Sequence, residues 1–143
     1  MGNISRSALV PYTAAQMYDL VNDIDRYPEF VPWCNDSTSA LLADDQKQAT
    51  LFFARGKIKT SFTTKNTLAR GKCIEMELVD GPFKHLRGDW KFTDIEDHGS
   101  RVQLELEFEL SNRLLKLTLE SFFNQICERL VNAFVQRAND MYS

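Results

Sequence analysis

The sequence predicts an α+β fold, a curved seven-stranded antiparallel sheet wrapped on one long C-terminal helix. Three observations carry that expectation. From Leu114 to Tyr142 a helical pattern runs on with no Pro or Gly to break it. Between Ser37 and Ser111 the helical period gives way to alternation of apolar and polar residues, the mark of strands with one dry face. The turn signals dividing that stretch are short, so successive strands pair as antiparallel hairpins.

In chain order, Asn3 to Val10 alternates as a strand and Pro11 ends it. Thr13 is placed to cap a short helix in which Met17, Leu20, Val21 and Ile24 fall at helical spacing through Asp25. Tyr27 to Cys34 holds three aromatics bracketed by Pro28 and Pro32, which predicts a compact loop or a single turn. Six strands follow, near Ser37–Leu42, Gln46–Ala54, Ile58–Leu68, Cys73–Val79, His85–Ile95 and Arg101–Leu110. The clearest sets Val102, Leu104, Leu106, Phe108 and Leu110 against Gln103, Glu105, Glu107 and Glu109.

In the terminal helix, Leu115, Leu119, Phe122, Phe123, Ile126, Cys127, Leu130, Phe134 and Met141 form one broad apolar face. A sheet with one dry face needs a partner layer, and this helix is the only long element to supply it. Such a grip often leaves a gap that side chains do not fill. At 143 residues the chain is expected to be a single domain, residues 1–143, that needs no staples. The longest apolar runs fall far short of the ~20 residues that span a bilayer, and no charged-then-apolar leader is read, so the expectation is a cytoplasmic protein without a transmembrane segment. Cys34, Cys73 and Cys127 are odd in number and widely spaced, which predicts free thiols.

Little in the sequence suggests catalysis. Two histidines, His85 and His98, make no metal site, and no nucleophile elbow, P-loop or dinucleotide fingerprint occurs. The expectation is a non-enzyme with no catalytic residue, no metal and no required cofactor. A basic run is more informative. Residues 55–72 carry Arg55, Lys57, Lys59, Lys65, Arg70 and Lys72 with no Asp or Glu, in a chain of net charge −3. Lys59 and Lys65 are expected to face Glu75 and Glu77 across strands, with Arg87 and Lys91 between those acids and the Glu105–Glu109 row. Arg55, Lys57, Arg70 and Lys72 lie in turns with no evident partner and are candidates for contact with an anionic surface, either nucleic-acid phosphate or lipid headgroups.

Phe30, Trp33 and Phe83 are large apolar residues outside regular elements, placed either to cap the core or to form the mouth of an apolar cavity. Arg137 falls at helical spacing on the apolar face, where it either snorkels at the helix end or meets a polar headgroup at a cavity opening.

The order strand, short helices, six strands and long helix resembles the START-like helix-grip superfamily. Within it, the run from Val21 through Asp25-Arg26-Tyr27-Pro28-Glu29-Phe30 to Trp33-Cys34 is similar to the signature of the coenzyme Q-binding proteins and the bacterial ribosome association toxins called RatA. So are Asp80-Gly81-Pro82-Phe83 through Phe92, the Phe108 and Ser111–Leu114 region, and Val131–Tyr142. The resemblance implies two short helices after the first strand and two unlike functions. One is non-enzymatic binding of a hydrophobic ligand, an isoprenoid quinone such as ubiquinone, in support of respiratory electron transport, with transient contact at a membrane surface. The other is a type II toxin that binds the large ribosomal subunit and blocks subunit association, the basic turn residues touching phosphate. For the first, the cavity is expected to be lined by Phe30, Trp33, Phe62, Met76, Phe83, Trp90, Phe108, Phe122, Ile126 and Leu130, with Arg137 at its opening.

Overall fold

The computed structural model describes residues 2–143. Its elements run β1 (Gly2–Val10), α1 (Ala14–Asn22), a 3-10 helix (Ile24–Glu29), β2 (Cys34–Ala43), β3 (Gln46–Arg55), β4 (Ile58–Ala69), β5 (Cys73–Asp80), β6 (Phe83–Ile95), β7 (Gly99–Leu110) and α2 (Arg113–Tyr142). All seven strands form one antiparallel sheet in the order β1-β7-β6-β5-β4-β3-β2. The hairpins expected from short turns are all present, and β1 closes the sheet against the last strand.

Local chemistry explains the element ends. Thr13 caps α1 reciprocally, its side chain accepting from the Gln16 backbone N–H while the Gln16 side chain accepts from the Thr13 N–H. The first helix ends at Asn22, before the expected Asp25, and of the Tyr27–Cys34 stretch, expected as a compact loop or a single turn, Tyr27-Pro28-Glu29 completes a short 3-10 helix. The Tyr27 hydroxyl, buried in the core, donates to the Val21 carbonyl and fastens this second helix under the first. Burial pushes the Tyr27 phenol pKa well above its ordinary value, so it stays a donor. Asn112 caps α2 by accepting from the Leu115 N–H at 2.9 Å.

The dry faces converge as the alternation requires. Val102, Leu104, Phe108 and Leu110 of β7 are buried, as are Leu86, Trp90 and Phe92 of β6 and Ile74 of β5. Against them α2 places Phe122, Phe123, Ile126, Cys127, Val131, Phe134 and Ala138. Met141, expected on this face, is 53% exposed: at this end the buried side of the helix runs through Ala138 to Tyr142, which packs on Tyr12, and the Tyr12 hydroxyl donates to Asn139 at 2.7 Å.

The cross-strand pairing of charges holds in part. Lys65 stands opposite Glu77, and Glu77 and Glu107 flank Arg87, whose Nε donates to Glu107 at 2.7 Å. Lys59 does not reach the acidic strand. Pairing of β4 with β5 begins only at Thr63, so Lys59 lies opposite Ala54 of β3.

Candidate functional site

Between sheet and helix lies a small, partly enclosed cavity of about 60 Å³. Phe62, Met76 and Trp90 line it from the sheet and Ile126 and Leu130 from α2, as expected from the sequence. The 3-10 helix adds Tyr27, and β3 adds Ala49, Leu51 and Phe53. The remaining residues of the expected lining are placed elsewhere. Phe83 and Phe108 pack edge-on with Phe123, with centroids at 4.9 and 4.7 Å, and fill the space toward the start of α2. Phe30 packs on Phe134 at 5.1 Å, and Trp33 on Phe122 at 5.5 Å. Aromatic packing thus consumes most of the gap, and what is left has room for about two water molecules.

Two polar side chains face this apolar space. Thr64 and Asn66 are both buried, and the Thr64 hydroxyl donates to the Asn66 side-chain carbonyl at 2.7 Å. Asn66 was outside the expected lining, although continuing the β4 alternation past Ile58, Thr60, Phe62 and Thr64 lands on it. This pair is the polar point of the cavity wall, where a water or a ligand carbonyl would be held.

Arg137 stands outside the cavity. Its guanidinium donates to Glu29 Oε1 at 2.7 Å and lies 4.9 Å from the centre of the Phe30 ring, tying α2 to the 3-10 helix. Arg26 also donates to Glu29, at 3.2 Å. Hydrogen bonds from Arg137 and then Arg26 hold the Glu29 carboxyl below its ordinary value of 4.5. A depressed folded-state pKa means that the clasp stabilises fully above that value and is lost as pH falls through the folded pKa. Glu29→Gln should therefore lower the melting temperature at pH 7, and its difference from the parent protein should vanish in acid. A difference that persists unchanged to pH 2 would show that the carboxylate charge contributes nothing.

The basic turn residues separate into two groups. Arg55 and Lys57 lie at one end of β4 and Arg70 and Lys72 at the other, with the twelve-residue strand between them spanning roughly 40 Å at ~3.3 Å per residue. A single patch is therefore not formed. Arg70, beside α1, lowers the phenol pKa of Tyr18 against the larger effect of burial, which raises it. Arg55 folds over the aromatics, 5.1 Å from the Trp33 ring centre and 4.8 Å from Phe122, and donates to Gln125 of α2.

Trp33 itself has φ +62°, a left-handed conformation that is a genuine outlier for a bulky residue and costs about 1–3 kcal/mol. Its carbonyl accepts from the Ala54 N–H at 3.0 Å, and Cys34, the next residue, begins β2 opposite Phe53. A second guanidinium, that of Arg129, lies 4.9 Å from the same indole. Helical spacing alone gives no sign that Arg129 meets Trp33, since the contact depends on the loop's path.

All three cysteines are free. Burial pushes the Cys34 thiol up to about 11 and that of Cys127 to about 12, and it raises Cys73 as well. They are protonated at neutral pH and carry no thiolate chemistry there.

A curved sheet gripping a long helix over a small apolar cavity defines a START-like helix-grip protein. The model of the family described as polyketide cyclase / dehydrase and lipid transport matches residues 10–135, and the chain belongs to that family. Within it, the chain is 44% identical to the ribosome association toxin RatA of Vibrio cholerae over 142 residues, covering 99% of each. It is 26% identical over 136 residues to the mitochondrial coenzyme Q-binding protein COQ10 of Drosophila melanogaster, covering 92% of this chain and 56% of that protein. The crystal structure of the Zhui aromatase/cyclase from Streptomyces superposes with a TM-score of 0.84 at 13% identity, covering 96% of this chain and 93% of that one, a likeness of fold alone. Among the described residues no helix is long and apolar enough to cross a membrane.

Proposed function

We propose that this chain is a non-enzymatic ribosome-binding protein of the RatA type, which engages the large ribosomal subunit and hinders its joining with the small one. The observation that carries this reading is the full-length 44% identity to a ribosome association toxin, with both chains covered to 99%. The small cavity supports it, since about 60 Å³ does not accommodate an isoprenoid tail with its walls where they stand. A carrier would have to lift α2 from the sheet and break the aromatic contacts of Phe123 and Phe134. Function then falls to the outer surface.

The test is sedimentation of purified ribosomal subunits reassociated with and without the protein. The protein should migrate with the large subunit, and the yield of coupled ribosomes should fall as it is added. Undiminished coupling, with the protein left at the top of the gradient, would sink the reading. A second reading, retention of a quinone, is favoured by one feature, the single polar pair Thr64–Asn66 in an otherwise apolar enclosure. Native mass spectrometry of protein purified from its own cells separates the two, a quinone-mass adduct supporting the carrier and its absence the ribosome.

A further inference from the structure

We infer that Trp33, Arg55 and Arg129 form a phosphate-binding site by which this protein holds RNA. The inference rests on the ribosome reading and names the contact that reading lacks. Two guanidiniums lie within 5.1 and 4.9 Å of one indole, Arg55 from the end of β3 and Arg129 from α2. Among the described residues neither has a carboxylate within ion-pair distance. The nearest acid in sequence, Glu128, turns away to Arg6 at 3.7 Å. Two unneutralised cations on one ring repel each other, and an anion held between them removes that repulsion.

The geometry suits a phosphodiester. A guanidinium lying over an aromatic ring keeps its edge N–H donors free, and that planar fork matches the oxygens of a phosphate. Arg55 uses donors on Gln125, while among the described residues Arg129 makes no side-chain hydrogen bond. Trp33 is a fixed platform, its left-handed backbone held by the Ala54 N–H. Ala54 in turn pairs with Lys59, so Lys59 and the exposed Lys57 of the same hairpin extend the positive edge.

The rest of the surface orients a polyanion toward this edge. On β5, β6 and β7, Glu75, Asp89 and Glu105 stand in one cross-strand row that repels phosphate. The chain's net charge of −3 gives no general attraction for RNA, so affinity must come from a local cluster. A bilayer would instead take up the exposed leucines Leu114 and Leu117, which lie 15 and 12 residues before Arg129, roughly 18 to 22 Å along the helix at ~1.5 Å per residue.

The experiment compares the parent protein, the Arg55→Gln/Arg129→Gln double variant and Arg129→Lys. Each is titrated onto purified large subunits and a labelled oligouridylate across a KCl series, with thermal melts to confirm folding. The double variant should bind about tenfold more weakly or worse. Its plot of log affinity against log salt should be shallower by about 1.4 to 1.8, the slope of two lost phosphate contacts. Arg129→Lys should keep most of that slope and lose affinity, because the charge remains and the fork is gone. The folded single variant Arg129→Gln guards against damage from Arg55, since Arg129 is an exposed helix residue. Equal affinity and slope in parent and double variant would overturn the site while leaving ribosome binding standing. If the parent does not bind subunits at all, the ribosome reading fails, and the oligouridylate arm still decides the site. Arginine-dependent binding to phosphatidylglycerol vesicles without binding to oligouridylate would overturn RNA as the occupant.

Discussion

Phe134→Ala is expected to lower the unfolding free energy by about 3–5 kcal/mol, the range for truncating a fully buried phenylalanine. Phe134 is 0% exposed and meets three rings edge-on, Phe30 at 5.1 Å and Tyr27 and Trp90 each at 5.3 Å. Those partners belong to the segment after α1 and to β6, so one side chain of α2 joins helix, 3-10 helix and sheet. The void cannot collapse easily, because each surrounding ring is already fixed by other contacts, Trp90 by Phe92 and Tyr27 by its bond to Val21. Urea unfolding should show a reduced midpoint with an unchanged slope, and the melting temperature should fall by about 10 °C or more. A loss under 1 kcal/mol would mean that α2 is held mainly elsewhere, at its Phe122–Phe123 end. A further outcome bears on the cavity. If enlarging this region lets the variant retain a quinone that the parent protein does not, packing density alone is what closes the grip.

Much of this architecture follows from periodicity. Alternation through β4 to β7 placed the strands to within a few residues, and the hairpins followed from turns too short for any other connection. The helix face was legible in outline, yet Met141 fell on its edge, since a pattern of spacing carries no information about what the last turn packs against. The cavity was legible in its walls and not in its volume. Whether rings such as Phe83 and Phe108 line a space or fill it depends on rotamers and on the distance between layers, neither of which leaves a mark in the sequence.

The charged residues divide in the same way. That Arg55 and Arg70 occupy opposite ends of β4 was implicit in the hairpin order, because residues flanking a twelve-residue strand cannot share an edge. That Arg55 lies across Trp33 and Phe122, with Arg129 on the same ring, required the left-handed turn at Trp33, which local preference argues against. Sequence reasoning fails where the backbone departs from its preferred regions. Such departures gather at functional sites, and this one coincides with the unpaired cations.

Gly88→Ala should destabilise the fold by about 3 kcal/mol, the upper end of what overpacking costs. At an ordinary strand position the same change is neutral or favourable by about 0.5–1 kcal/mol, since glycine has more freedom to lose on folding. The sign reverses here because of what surrounds the position. A Cβ on Gly88 would stand 2.1 Å from the Glu105 carbonyl oxygen and 2.8 Å from the Leu106 Cα. Both are backbone atoms of β7, so no side chain can swing aside and the two strands must part. The β6–β7 pairing is the longest in the sheet, running from Phe83 with Leu110 to Ile95 with Gly99. Gly88 sits near its middle, between Leu86 and Trp90 of the cavity wall. Parting the strands there flattens the curvature that brings Trp90 onto Phe134. Gly56 supplies the contrast, since a Cβ added there would meet nothing within 4 Å and only its φ of +61° stands against the change. Gly56→Ala should therefore cost about 1–2 kcal/mol, the penalty of a left-handed conformation alone. Urea unfolding of the two variants side by side decides the matter. Equal losses would mean that the close approach of β6 to β7 relaxes freely and that the curvature of the grip is set by something other than this glycine.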